Sequence, residues 1–229
     1  MKKSALLTLS LLALCAVSVQ AEITLEDKFE LEGRSPGAPL NRQPVGTSGT
    51  IWEASPNVVF APAGGLRVKD ATGYGARIEL PEGFKSVTLE AKIQPVPAVE
   101  NPGWMALGLG NAEQASNPTF GGLYVIIYST GNFALMFNPD PADATSKTAK
   151  TLVRGRANVF DPDNLNTVKL TYHQDEGTID LTINDDLAVD AFNIKEKNIR
   201  LDARYGGFSG YSQVSEARSI GGFSVSVVQ

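Results

Sequence analysis

Apolar and polar residues alternate along much of the chain. In the segment SVTLEAKIQ, the apolar residues Val87, Leu89, Ala91 and Ile93 are separated by polar ones. Successive side chains of a β-strand point to opposite faces, so this alternation predicts a strand with one buried and one solvated face. Six further segments have a similar pattern: WMALGLGN, GLYVIIYS, NFALMFN, NTVKLTYH, TIDLTIND and GGFSVSVV.

Short groups of turn-forming residues separate these segments, for example Pro81-Glu82-Gly83 and Asp175-Glu176-Gly177. Two longer stretches, 33–48 and 138–149, are rich in Pro, Gly, Ala and Asp and are interpreted as surface loops. No helical periodicity extends beyond about two turns. The pattern therefore predicts an all-β fold, a two-sheet antiparallel β-sandwich of the jelly-roll type.

The first 21 residues differ from the rest of the chain. Lys2 and Lys3 precede an apolar run from Ala5 to Val19, and small residues flank a cleavage point after Ala21. This arrangement predicts a secretory signal peptide over 1–21, and the run is shorter than the ~20 residues that a membrane span needs. We therefore expect a secreted or periplasmic protein, with residues 22–229 as one domain that does not insert into a membrane.

The only cysteine of the chain, Cys15, lies in that segment, so residues 22–229 must be held together by their core without disulfides. The formal net charge is −5. An acidic chain is a poor partner for nucleic acid and for anionic membrane surfaces. The charge also disfavours a strongly polyanionic ligand, unless a local basic groove overrides the net sign.

The only histidine, His173, lies within the densest cluster of acids, in the segment YHQDEGTIDLTINDD. Alternation on either side of HQDEG, together with Gly177 at its end, predicts a hairpin with His173 on the wet face near the turn. A single histidine offers too few nitrogen ligands for zinc, and no serine lies in a G-x-S-x-G turn. We favour the hairpin interpretation over a catalytic one.

Cofactor motifs are not found. The segment that starts at Asp161 lacks the glycine at its sixth place and the glutamate at its twelfth, which an EF-hand calcium loop requires. Neither G-x-G-x-x-G nor G-x-x-x-x-G-K occurs. We expect no cofactor, and the oligomeric state stays open.

The order of segments DKFELEG, IWEAS…GGLRV, SVTLEAKIQP, WMALGLGN, GGLYVIIYSTGNFAL, NTVKLTYHQDEGTIDLTIND and IGGFSVSV resembles the concanavalin A-like lectin/glucanase superfamily. The resemblance covers nearly all of residues 22–229. It implies a secreted jelly roll of the kind found in polysaccharide-processing proteins, and it is more specific for fold than for activity. Some members hold a calcium ion between the chain ends, which would make Asp27 or Glu30 candidate ligands.

The resemblance raises two enzyme activities that occur within that superfamily. The E-x-D-x-x-E strand of retaining glucanases is missing, and Lys92 stands where the second acid should be in Glu90-Ala91-Lys92. A weaker resemblance to alginate-lyase-like jelly rolls rests on Arg77-Ile78-Glu79-Leu80 and on the segment YGGFSGYSQ. It implies that Arg77 neutralises a uronate and Tyr211 transfers a proton, but the histidine of that family is missing near ALGLGN. His173 could replace that histidine only if the fold brought it into one groove with Arg77 and Tyr211.

A glycan-binding role needs flat aromatic rings that stack on sugars and planar polar groups that fix hydroxyls. Trp104, Tyr124 and Tyr128 lie opposite the apolar faces of their strands, whereas Trp52 is predicted to be core. The candidate ligand-binding residues are Trp104, Tyr124, Tyr128, Arg154, Arg156 and Glu90. We predict a carbohydrate-binding or polysaccharide-binding module. The alternatives are a carbohydrate-active enzyme, either a polysaccharide lyase or a glycoside hydrolase, and a structural or surface-assembly domain without a glycan.

Overall fold

A computed structural model describes residues 22–70, 73–96, 103–111, 121–140, 142, 147–211 and 219–229. The predicted signal peptide, residues 1–21, lies outside the described residues. So does part of the predicted loop 138–149. In the described ranges, no helix is long and apolar enough to cross a membrane.

One sheet has eight strands in the described residues. Its order is β13-β12-β11-β6-β15-β4-β3, and β1 also pairs with β15. All of its pairs are antiparallel. The strands are β1 (Glu22–Asp27), β3 (Val58–Phe60), β4 (Leu66–Val68), β6 (Ser86–Ile93), β11 (Asn166–His173), β12 (Thr178–Ile183), β13 (Asp186–Asn193) and β15 (Ile220–Val228).

The second sheet has seven strands in the described residues, in the order β10-β9-β8-β7-β14-β5-β2. These pairs are antiparallel as well. The strands are β2 (Glu53–Ala54), β5 (Gly73–Glu79), β7 (Trp104–Gly110), β8 (Gly122–Tyr128), β9 (Asn132–Phe137), β10 (Lys150–Arg156) and β14 (Tyr205–Tyr211). The two sheets confirm the predicted antiparallel β-sandwich.

The inward faces of both sheets form the hydrophobic core. On β6 the residues Val87, Leu89, Ala91 and Ile93 are buried, as their alternation predicts. Their counterparts in the seven-stranded sheet belong to the same core and include Ile78, Met105, Leu107, Leu109, Leu123, Val125, Ile127 and Phe208. The side chains that point away from this core form two outer faces, one on each sheet.

Aromatic rings fill the centre of the core. Trp52 is completely buried and lies 5.7 Å from Phe29, 5.6 Å from Phe208 and 5.2 Å from Phe223, measured between ring centroids. The tilted and edge-on geometries are the favourable ones for aromatic pairs. The prediction that Trp52 belongs to the core is confirmed.

The segment around His173 is a hairpin, as predicted. β11 pairs with β12 from Val168↔Ile183 to His173↔Thr178, and the backbone N–H of Gly177 donates to the His173 carbonyl at 2.7 Å. Gly177 has a φ of 69°, a conformation that glycine adopts without a steric penalty. The turn chemistry of HQDEG therefore explains why the chain reverses here.

Candidate functional site

Three aromatic side chains are neighbours on the outer face of the seven-stranded sheet. Trp104 on β7 pairs with Tyr211 on β14 at one side and with Tyr128 on β8 at the other. Directly paired residues of antiparallel strands share a face, so these rings form a row across three strands, spaced by about 4.8 Å per strand. Tyr211 is 42% exposed, and Trp104 and Tyr128 are half-buried. We call Tyr211, Trp104 and Tyr128 the aromatic row.

Polar side chains continue the aromatic row towards the edge of the sheet. Ile127 pairs with Phe133, so Asn132 on β9 follows Tyr128, and Asn132 in turn pairs with Arg156 on β10. Arg154 pairs with Ala134 and therefore shares the face of Arg156. The predicted residues Trp104, Tyr128, Arg154 and Arg156 thus lie on one outer face. Tyr211, which the lyase alternative names as the proton-transfer residue, lies on this face as well.

Tyr124 shares this face but is not available as a stacking surface. It is only 2% exposed and forms a small buried apolar cluster with Ala106, against which Trp104 packs. Ile126, Met136 and Ala149 also pack against the cluster. The prediction of Tyr124 as a solvent-facing ligand platform is therefore wrong. Its ring supports Trp104 from beside the aromatic row.

Glu90 and His173 lie on the outer face of the other sheet. Glu90 is on β6, where its Oε2 is 3.1 Å from Nζ of Lys169. His173 ends β11, and its Nε2 is 3.1 Å from Oδ2 of Asp180. Glu90 therefore does not share a face with the aromatic row, because the core separates β6 from that face.

The three candidate lyase residues do not come together. Arg77 shares the face of Tyr211, but the two lie four residues apart along the paired strands, roughly 13 Å. Arg77 is 4% exposed, and its guanidinium contacts Glu53 Oε2 at 2.8 Å and lies 3.8 Å above the Tyr205 ring. His173 lies on the opposite face. Arg77 is therefore already paired with a carboxylate. His173 is on the other sheet and cannot act as a base next to Tyr211.

The charges at the β5 end of this face are paired internally. Nε and one terminal nitrogen of Arg204 donate to Glu79 Oε1 at 3.1 and 3.0 Å. This hydrogen bonding, assisted by the charges of Tyr205 and Glu79, raises the pKa of Arg204 above its ordinary value. Arg77 and Arg204 are thus both matched by carboxylates, which leaves this end of the face electrically balanced.

The candidate calcium ligand Asp27 is occupied by other partners. It is 2% exposed, and its carboxylate accepts two hydrogen bonds from Arg34, at 2.7 and 3.0 Å, and one from Trp52 Nε1 at 3.0 Å. The backbone N–H of Phe29 donates to it as well, at 2.9 Å. Because a guanidinium already supplies the countercharge, Asp27 does not fit a calcium site. The exposed Glu30 would then be the remaining candidate ligand, without Asp27 beside it. In the described ranges, no three His, Cys, Asp or Glu side chains cluster as metal ligands.

The sandwich is similar to solved structures of low sequence identity. The potassium-bound carbohydrate recognition domain of Emp46p is 15% identical, with a TM-score of 0.51 over 78% of this chain and 85% of that one. The fold is the concanavalin A-like sandwich. Weaker matches are the mannose- and calcium-bound VIP36 lumenal domain and the carbohydrate-binding module CBM66 from Bacillus subtilis.

For VIP36 the identity is 12% and the TM-score 0.49, over 88% of each chain. For CBM66 they are 11% and 0.46, over 78% of this chain and 91% of that one. No protein-family model matches the sequence, and no curated protein matches it either.

Sequence reasoning missed Asn132 in this concanavalin A-like sandwich and gave Tyr211 a different role. Asn132 is the first residue of β9 and shares the face of Tyr128. The alternation of NFALMFN carries that signal, because Phe133, Leu135 and Phe137 fix the opposite face as the inner one. For Tyr211, no local pattern shows that β14 lies beside β7.

Proposed function

We propose that this protein is a secreted or periplasmic carbohydrate-binding module, formed by residues 22–229, and that it holds a glycan chain across the strands on the aromatic row. The observation that carries the proposal is the adjacency of Tyr211, Trp104 and Tyr128 on three neighbouring strands. Three rings in line present flat apolar surface along the direction in which an extended glycan would run.

The chemistry of this face suits sugars. Pyranose rings have an apolar face that stacks on aromatic side chains, and their hydroxyls need planar polar partners. Exposed Asn132 follows the rings directly and offers both a donor and an acceptor. The Emp46p domain that shares the fold is itself a carbohydrate recognition domain, which agrees with this proposal.

The expected affinity is modest. Each stacked ring contributes on the order of 1 kcal/mol, and an open face orders the glycan at an entropic cost. Three rings contribute about 3 kcal/mol, which alone corresponds to a dissociation constant in the millimolar range, so micromolar affinity requires hydrogen bonds from the neighbouring polar groups as well.

The test is the substitution Trp104→Ala, assayed by native affinity electrophoresis against a glycan panel. The panel contains neutral polymers (β-glucan, xylan, galactomannan), carboxylated ones (polygalacturonate, alginate) and sulfated dextran. On every glycan that retards the protein, Trp104→Ala should weaken binding about five- to tenfold, the equivalent of one stacked ring. Thermal melting should show that the variant remains folded.

Leu187→Ala is the matched control, because Leu187 is an exposed apolar side chain on β13 of the other sheet. It should leave retention unchanged. Equal losses in both variants, or no retention by any glycan in the panel, would overturn the proposal. The same incubations are read for new reducing ends and for unsaturated products, and product formation would replace the binding module with a carbohydrate-active enzyme.

A further inference from the structure

Two arginines lie at the end of the aromatic row on the edge strand β10. Arg156 pairs with Asn132, which follows the last ring of the aromatic row, and Arg154 lies two residues away on the same face. Arg156 is therefore two strand spacings, about 10 Å, from Tyr128. A glycan stacked on the row and extended towards this edge would meet both guanidinium groups.

Neither arginine has a carboxylate partner among the described residues. Both are exposed, and within the described ranges the side chain of Arg154 makes one hydrogen bond, a long one of 3.4 Å from a terminal nitrogen to Thr151 Oγ1. Three other arginines of the protein are paired: Arg34 with Asp27, Arg77 with Glu53, and Arg204 with Glu79. The positive charge of β10 is therefore available to a ligand, whereas that at the β5 end of the face is not.

The two guanidinium groups line a groove rather than a flat surface. The groove has a volume of about 620 Å³ and is bounded by Tyr128, Asn132, Arg154 and Arg156, with Ile126, Ala134 and Met136 among its apolar residues. It joins the aromatic row at Tyr128. A ligand that occupies it would meet apolar surface and two cations at the same time.

We propose that Arg154 and Arg156, with Asn132, form an anion subsite that takes a carboxylate or sulfate group of an acidic glycan stacked on the aromatic row. The inference rests on the proposed function and names its ligand class. A guanidinium donates two parallel hydrogen bonds to a planar carboxylate or to sulfate oxygens, which a neutral sugar does not accept equally well. Because the net charge of the chain is −5, general attraction does not favour a polyanion, so any preference must come from this local pair.

The test compares polymers that differ only in charge. Polygalacturonate is set against its methyl ester, and dextran sulfate against dextran, so that carboxylate and sulfate are probed separately. We expect the protein to bind at least one acidic polymer about tenfold more tightly than its neutral partner, with the preference shrinking as salt is added. The variant Arg154→Ala/Arg156→Ala should lose this preference and keep its affinity for neutral glycans.

Two further variants make the result specific. Arg200→Ala removes an exposed arginine that precedes β14 at the end away from Tyr211, and it should leave the preference intact. Arg156→Lys keeps the charge without the two-pronged donor and should retain only part of the preference. If the double alanine variant does not fold, Arg156→Gln provides the same comparison with a polar side chain of similar length.

The outcomes separate this inference from the proposed function. If a neutral glycan binds in a Trp104-dependent way while acidic polymers show no arginine-dependent gain, the anion subsite is refuted and the binding module stands. If no polymer binds, both fall. If the double variant aggregates through its exposed edge while its preference for acidic polymers is unchanged, the arginines protect the edge strand and are not a subsite.

Discussion

His173 and Trp104 both point away from the core, yet they lie on opposite surfaces of the sandwich. The His173 ring is held between Asp180 and Glu176, with Nε2 3.1 Å from Asp180 Oδ2 and Nδ1 3.8 Å from Glu176 Oε2. Both carboxylates belong to its own hairpin. These contacts stay within the hairpin of β11 and β12, and none of them connects His173 to the aromatic row.

The substitution His173→Ala should therefore change little. A hydrogen bond between partly exposed side chains, such as that of His173 with Asp180, contributes about 0.5–1.5 kcal/mol, so the free energy of unfolding measured in urea should fall by no more than that. Affinity for any glycan that binds the aromatic row should stay the same. A severalfold loss of affinity on removing His173 would contradict the assignment of the site to the seven-stranded sheet.

Local patterns predicted the orientation of single residues better than their exposure. Alternation places Trp104 and Tyr128 opposite the inward side chains of β7 and β8, and the register confirms that orientation. The same alternation gives Tyr124 the same face, but it carries no information on what packs over that face. Tyr124 is buried, and together with Ala106 it forms an apolar cluster outside the main core.

At the scale of the strand, β10 depends on a glycine for its packing. Gly155 lies between Arg154 and Arg156 and points inward, where a Cβ atom would overlap the ring of Phe133. The buried Phe133 ring thus covers the backbone of the edge strand. It fills the space that a side chain at position 155 would otherwise occupy. Gly155 and Phe133 line the same groove as the two arginines.

Gly155→Ala should consequently destabilise the protein by about 1–3 kcal/mol, the usual cost of overpacking a site that is already filled. Since Phe133 must move, β10 shifts as well, and binding to acidic glycans should weaken with it. Gly49→Ala is a suitable control, because a Cβ atom there meets open space in the loop that precedes β2. Urea denaturation and affinity electrophoresis of both variants provide the measurement, and equal stabilities would show that Phe133 does not constrain β10.

Strands and hairpins were predictable, whereas the assignment of strands to sheets was not. The hairpin of β11 and β12 follows from two alternating segments and a glycine turn, all of them local. β6 and β7 alternate in a similar way and are consecutive in the chain, but they join different sheets. Glu90 and Trp104 therefore lie on different sheets, whereas Tyr211 lies beside Trp104 because β14 pairs with β7 across a long stretch of sequence.

For the whole molecule, the two outer faces differ in chemistry. Around the centre of the eight-stranded sheet, its outer face carries a row of hydroxyls from Thr24 through Ser226 and Thr88 to Thr171, each on a neighbouring strand. The other face carries the aromatic row and the arginines of β10. If the glycan site is where we propose, blocking one face should abolish binding and blocking the other should not.

Site-directed labelling tests this directly, because Cys15 is the only cysteine of the chain. In a Cys15→Ser background, Asn132→Cys places a thiol in the middle of the proposed site, and Thr24→Cys places one on the opposite face. Both positions are exposed and neutral, so the two variants are matched. Each is assayed before and after attachment of a bulky, uncharged maleimide–polyethylene glycol.

The label at position 132 should reduce glycan retention at least about tenfold by covering Tyr128 and the groove, which exceeds the effect of losing the Asn132 amide alone. The label at position 24 should leave retention unchanged, since the core and the entire seven-stranded sheet separate it from the aromatic row. Loss of retention only with the label at position 24 would transfer the site to the hydroxyl-rich face. Equal retention with both labels would place it at neither.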